Sequence, residues 1–489
     1  MTDPSPNILF ILTDQQRRDS MKVYGNNWIK TPNLNSLSDK SLVFENAYVT
    51  QPVCTPARAS IMTGLYPQTT GLIRNGIPLP DHIKTIGDLI DEKYYNAYMG
   101  KWHLGNDVIA QRGFDTWISV EDFHRSNYTK KEYRFVETPY NEYLRSHNIE
   151  PPPSNISYEG WVGASNLTED QTQAGFLGNM ASKFIKDFKS GPHSDRPWML
   201  YVSFFEPHPP YTGPLNDLYD PNKIEVGPAF LRRPENGSLV NRLRADYYMG
   251  GGLNPLGVSG GDYHDTSTEI GWRKLLSQYY ANVTLVDNQL KKIFESLEES
   301  NQTENTIIIF TSEHGEMGGD HGMLEKRSLY EEASRVPLIV HIPWLREQQR
   351  KIQGSISQVD LVPTLLELTG SMIPSYIEGQ SRVTLIDGKN NLGDNDVFLQ
   401  WNGMGDRNLG TPEINRMVSV PWRTIVGSDR WKLNLSPGDQ CELYDLNTDP
   451  YELTNLYDDA RYKDRIRDMA AKIRIWQDTI NDRIPLPSV

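Results

Sequence analysis

Four short, unbroken apolar runs constrain this chain most: Asn7–Thr13, Trp198–Phe205, Thr306–Thr311 and Val336–Ile342. Each has the length of a strand and lacks polar alternation, so each has to be covered on both faces. Helical patterns lie between them. From Leu276, the apolar positions Tyr279, Tyr280, Val283, Val286, Leu290, Ile293, Phe294 and Leu297 keep a ~3.6-residue period and lead directly into the Thr306 run. Val359–Leu368 is a second helical stretch, closed by Gly370. Strands alternating with helices predict an α/β fold: a large, mostly parallel sheet sandwiched by helices.

After about residue 385 the texture changes. Arg423–Val426 and Trp431–Leu435 flank Gly427-Ser428-Asp429, a hairpin signal, and Glu442–Leu446 supplies another short strand. A last helix carries Ile466, Met469, Ile473, Trp476 and Ile480 on one face. The expected organisation is a large α/β domain over residues 1–385 and a small antiparallel α+β subdomain over 386–489. Two long connections, Tyr128–Ser165 and Tyr211–Thr268, are rich in Pro, Gly, Asn and Asp and are expected to build a substrate cleft.

Composition removes several function classes. The chain carries 49 basic and 63 acidic groups, a net charge of −14, and no basic block, which excludes a nucleic-acid backbone binder. Cys54 and Cys441 are the only cysteines, so at most one disulfide forms and a thiolate zinc cluster is excluded. No apolar run reaches membrane-spanning length, and the N-terminus has neither a basic n-region nor an h-region. As written, a soluble cytoplasmic chain is expected; removal of a leader would place it in the periplasm or outside the cell.

In a parallel sheet, ligands sit beyond the carboxyl ends of the strands. Asp14-Gln15 follows the first run, Glu206-Pro207-His208 the second and Glu313-His314 the third, with Cys54-Thr55-Pro56-Ala57-Arg58 and Lys101-Trp102-His103 between them. Carboxylates, a carboxamide and imidazoles gathered from separate strand ends suit one divalent cation held mostly through oxygen.

The run Cys54-Thr55-Pro56-Ala57-Arg58-Ala59-Ser60-Ile61-Met62-Thr63-Gly64 closely resembles the signature of the formylglycine-dependent sulfatases. The likeness extends to Asp14-Gln15, Gly100-Lys101-Trp102-His103-Leu104-Gly105, Gly113-Phe114-Asp115, Pro207-His208-Pro209-Pro210, Thr311-Ser312-Glu313-His314-Gly315-Glu316, Gly319-Asp320-His321-Gly322 and Lys326. These blocks run in the family's order over about residues 7–385. The family belongs to the alkaline-phosphatase-like superfamily, which implies the same sheet architecture.

By this resemblance, a formylglycine-generating enzyme converts Cys54 to formylglycine before folding. An aldehyde hydrate offers two hydroxyls, one to attack sulfur and one to expel sulfate, where a thiolate would leave a stable adduct. Pro56 favours a helix start, which would set residue 54 at a helix N-terminus, where an anion is welcome. The resemblance implies that Asp14, Gln15, Glu313 and His314 ligate one divalent metal together with an oxygen of residue 54. Ca2+ is expected by analogy, with Mg2+ or Mn2+ as the physical alternative. Arg58 would hold the hydrate, and Lys101 and Lys326 the sulfate oxygens. His103 would take the proton of the second hydroxyl, and His208 would protonate the departing alcohol with help from Lys326. His321 is expected to be a supporting or purely structural group. The family most often has Asp where this chain has Glu313, and Glu316 is the other carboxylate in reach; the resemblance favours Glu313.

The expected activity is hydrolysis of a small carbohydrate sulfate. The same motif also occurs in relatives acting on phosphonate monoesters and phosphodiesters, and a catalytically silent binder of sulfated glycans is a third reading. Selectivity is expected from the long loops, including His124-Arg125 and Tyr128–Tyr143, whose aromatics could stack on a sugar.

Overall fold

The computed structural model describes residues 5–120, 125–151, 166–252, 265–345, 349–386, 388, 393, 395–403 and 411–489. His124, much of the first long connection (152–165) and part of the second (253–264) lie outside the described residues. Eight strands form the large sheet: β1 (Asn7–Thr13), β2 (Leu42–Tyr48), β3 (Tyr95–Gly100), β4 (Thr116–Ser119), β5 (Trp198–Ser203), β6 (Thr306–Ser312), β7 (Arg335–His341) and β8 (Arg350–Ser357). Their order across the sheet is β4-β3-β5-β1-β6-β7-β2-β8. β7 is antiparallel to both of its neighbours and the other pairings are parallel.

β1 lies at the centre and is buried throughout. Its pleat sends Ile8, Phe10 and Leu12 into one core and Leu9 and Ile11 into the other, as a strand covered on both faces requires. The second core is closed by two long helices, Gln173–Ser190 and Glu269–Glu299, started by Thr172 and Thr268, whose side chains accept from Gly175 N and Gly271 N. The outer strand β8 opens with Arg350 and Lys351, charges that keep a sheet edge from pairing with another chain.

A second, antiparallel sheet has the order β12-β11-β10-β9, from Val397–Trp401 (β9), Trp422–Val426 (β10), Trp431–Leu435 (β11) and Glu442–Asp445 (β12). The helix Lys463–Thr479 packs on it through Ile466, Met469, Ile473 and Trp476. Buried charges tie the small sheet to the helical turn before β7: Lys432 of β11 reaches Glu331 of that turn at 3.1 Å and Glu452, beyond β12, at 2.9 Å. Cys54 and Cys441 are both free thiols. No helix among the described residues is long and apolar enough to cross a membrane.

Candidate active site

Four adjacent parallel strands, β3, β5, β1 and β6, deliver their carboxyl ends to one place. Thr13 pairs with Ser312 at the last register position, so Asp14 and Glu313 leave the sheet side by side, and Glu313 N donates to Thr13 O at 3.1 Å. Gly100 ends β3 at φ +117°, and a Cβ there would meet Ser203 O at 1.9 Å, so only glycine lets Lys101 turn inward at this point. Cys54 opens the helix Cys54–Thr63, with Pro56 in its first turn and all ten residues buried. Thr55 N donates to Asn75 Oδ1 at 2.9 Å and Thr55 Oγ1 to His103 O at 3.0 Å, which ties the helix start to the loop after β3.

Asp14, Cys54, Glu313 and His314 meet at this spot with Arg58, Lys101, His103, His208 and Lys326 around them, and Gln15 is tied to the group through Lys326. Ligand atoms of Asp14, Cys54, Glu313 and His314 lie within 4.8 Å of one another, and all four residues are buried. His314 Nε2 is 3.4 Å from Cys54 Sγ, 3.0 Å from Glu313 and 3.8 Å from Asp14. Its Nδ1 faces Gly315 O at 3.0 Å, which turns Nε2 inward. Arg58 pairs with Glu313 and, at 3.4 Å, with Asp14, and donates to Lys101 O at 2.7 Å and Ser203 Oγ at 2.8 Å. Lys101 Nζ sits 2.7 Å from Asp14 Oδ2. Lys326 Nζ bonds Gln15 Oε1 and lies 2.8 Å from His208 Nε2. His103 and His208 both lie close enough to Cys54 for its sulfur to raise their imidazoles against the lowering by burial. His321 is elsewhere, stacked on Tyr330 with ring centres 3.8 Å apart. Glu316 is also outside the cluster, bonded to Gln15 and Tyr211.

Residues 6–371 match the family model described as sulfatase, and residues 319–479 match that described as N-sulphoglucosamine sulphohydrolase, C-terminal. The chain belongs to the sulfatase family. With it, the chain belongs to the sulfuric ester hydrolases. An uncharacterized sulfatase of Escherichia coli, YidJ, is 29% identical over 98% of this chain and 88% of its own length. An N-acetylglucosamine-6-O-sulfatase of Bacteroides thetaiotaomicron is 24% identical over 98% of this chain and 88% of its own. Among solved structures, the phosphonate monoester hydrolase of Agrobacterium radiobacter superposes with a TM-score of 0.76 at 25% identity, covering 97% of this chain and 96% of that one.

The donor set of this sulfatase fits a divalent cation. Asp14 Oδ1 is buried and accepts no hydrogen bond, although it lies among the other oxygen and nitrogen donors. Burial, and then the neighbouring Glu313, raise the Asp14 carboxyl, whereas Lys101 pulls it down. Burial would lower His314, but Glu313 and Cys54 hold it up at about 9, so without metal the ring carries a proton on the nitrogen that faces the carboxylates. A cation at that point takes the place of the proton. Burial pushes the Cys54 thiol up, yet Lys326, Lys101 and His314 outweigh it and hold the group well below the ordinary thiol range. The pocket around residue 54 is therefore positive, as an anionic ester requires.

Two supporting groups escaped the sequence reading. Ser203 closes a triangle with Arg58 and Lys101 O, and Asp107 accepts from His103 N at 2.9 Å, holding that residue at φ +57°. Both lie near the quoted motifs, but nothing in residue type or spacing marks them as partners.

Proposed function

We propose that this enzyme hydrolyses a sulfate monoester on a carbohydrate, using formylglycine at position 54 and one divalent cation. The convergence of Asp14, Cys54, Glu313 and His314 within one buried cluster, ringed by Lys101, Lys326 and Arg58, carries the reading. Asp14, Gln15, Glu313 and His314 would hold the cation, Ca2+ by family analogy, together with an oxygen of residue 54. When bound, the cation supplies charge that polarises the ester and offsets negative charge on sulfate. Formylglycine supplies, as its hydrate, two hydroxyls on one carbon, so that attack on sulfur and release of sulfate become separate steps. Cys54 is 1% exposed, so its conversion requires the unfolded chain; we assign it to a formylglycine-generating enzyme acting during maturation.

The remaining steps belong to side chains. Lys101 and Lys326 bind sulfate oxygens as point charges. Arg58 fixes Asp14 and Glu313 and lends its charge to residue 54. His103, beside residue 54, takes the proton of the second hydroxyl. Lysine only donates, so His208 Nε2 accepts from Lys326 and its Nδ1 donates to Pro209 O at 2.9 Å. Burial, then Lys326, pushes the His208 imidazole down to about 3. The proton for the leaving alcohol thus rests on Lys326 Nζ and reaches the substrate through this pair. Residues 1–385 would form the catalytic domain, and 386–489 the subdomain that braces it through Lys432.

The carbohydrate assignment is supported by the N-acetylglucosamine-6-O-sulfatase relative and by the sulphoglucosamine family model. The likeness to a phosphonate monoester hydrolase favours a second reading, turnover of phosphonate monoesters on the same site. Parallel assays with sulfated monosaccharides, an aryl sulfate and an aryl phosphonate decide between them. The first reading expects the highest kcat/KM on a sulfated sugar; a higher value on the phosphonate overturns it.

A further inference from the structure

Gln15 is the one proposed ligand whose donor atom depends on orientation: turned one way its carboxamide offers oxygen, turned the other way an NH2 group that cannot hold a cation. Both faces of this amide are engaged. Nε2 donates to Glu316 Oε2 and, at 3.2 Å, to Tyr211 OH, while Oε1 accepts from Lys326 Nζ. Tyr211 OH donates in turn to the same Glu316 oxygen at 2.9 Å. The other oxygen, Oε1, accepts from Gly318 N at 2.9 Å and Glu325 N at 2.5 Å. Glu316 is fully buried and its carboxylate receives four donors, none of them an Arg or Lys side chain. Flipping Gln15 would set oxygen against carboxylate and NH2 against ammonium, two conflicts at once.

We propose that Glu316, with Tyr211, is a positioning residue that fixes the Gln15 carboxamide so that its oxygen faces the cation site. The proposal rests on the metal reading above. Glu316 also holds the backbone beside Lys326, so one carboxylate sets both a metal ligand and the lysine that touches it. No uncharged substitute of the same shape can do this. In Glu316→Gln the new amide has one NH2: facing Gly318 N and Glu325 N it meets two donors, and facing Gln15 it meets a third.

The test is calorimetric titration of Ca2+ into chelator-stripped enzyme, with melting curves to verify the fold. Outer partners of metal ligands are generally worth about 10- to 100-fold in affinity. E316Q is expected to bind Ca2+ that much more weakly than wild type. Q15E alone is also expected to weaken binding, because it opposes two buried carboxylates. The pair Q15E/E316Q restores complementarity and is expected to recover most of the affinity. In it the amide now at position 316 gives its NH2 to the carboxylate now at position 15, and its oxygen to the two backbone amides. A role confined to stability would not produce that reversal. Y211F, which deletes one hydroxyl, is expected to cost about 3- to 10-fold and serves should E316Q not fold. Unchanged affinity in E316Q, or in Y211F where E316Q does not fold, or a Q15E effect of the same sign and size in both backgrounds, overturns the lock alone. Failure of wild type to bind Ca2+, Mg2+ or Mn2+ overturns the metal reading and the lock with it.

Discussion

Replacing Arg58 with methionine tests the electrostatic frame of the site. Arg58 is 1% exposed and pairs with two carboxylates, both themselves fully buried. Methionine keeps the apolar stem but ends about where Nε stands, so a small cavity replaces the guanidinium head, and Glu313 is left with His314 at 3.0 Å and Asp14 with Lys101 at 2.7 Å. Removing one partner of a buried ion pair costs about 3–5 kcal/mol. The hydrogen bonds to Lys101 O and Ser203 add little, because Ser203 Oγ still donates to that carbonyl at 2.8 Å. With an unfolding entropy of ~2.1 cal/mol/K per residue over 489 residues, a loss of ~4 kcal/mol lowers a single cooperative Tm by ~4 °C. The loss depends on pH. Burial would raise Glu313, but Arg58 holds its carboxyl below the ordinary value, so its stabilising contribution is present above the unfolded pKa of about 4.3 and is lost as pH falls through the depressed folded value. Without Arg58, burial pushes Glu313 up, and that variant gains relative to wild type as the group protonates. Scanning calorimetry with chelator present should therefore show a gap at pH 7 that narrows at pH 4. An unchanged Tm at pH 7, or an equal gap at both values, refutes the argument.

Two further outcomes follow from the same geometry. Lys432→Met leaves Glu331 and Glu452 without their shared cation; burial already raises the Glu452 carboxyl and losing the lysine raises it further, so the substitution should cost about 3–5 kcal/mol in urea unfolding at pH 8 and less at pH 6, where that carboxyl is protonated with or without the lysine. His208→Asn should lower kcat by about 100-fold or more on a sugar sulfate, whose alkoxide leaves poorly, and by much less on a nitrophenyl sulfate, whose leaving group needs no proton; equal losses on both substrates would remove His208 from the acid step.

The central strands were legible because burial on both faces leaves an apolar run with little else to be. β1 spans Asn7–Thr13 in sequence and structure alike, and β6 extends by a single residue to Ser312. Direction was not legible: Arg335–His341 looks like its parallel neighbours, since an apolar run reads the same in an antiparallel place. β2 escaped notice because Glu45 and Asn46 interrupt it at a register shift, and β8 because an edge strand carries charges instead of a run. At the site, the meeting place of Asp14, Cys54, Glu313 and His314 was legible from chain order and strand ends. Their partnerships were not. Arg58, expected against the hydrate, also pairs with Asp14 and Glu313, and Glu316, the other carboxylate of its motif, bonds the carboxamide of Gln15. Such pairings depend on side-chain direction, which spacing along the chain does not encode.

The central claim is that turnover belongs to residue 54 in its aldehyde form. Preparations of this enzyme with different extents of Cys54 conversion, each quantified by mass spectrometry of the peptide that carries position 54, should be assayed on one sulfated saccharide at saturating Ca2+. The account predicts kcat per chain proportional to the converted fraction, with a line through the origin and no turnover in Cys54→Ala. Equal activity across the series, or substantial activity at zero conversion, would contradict it.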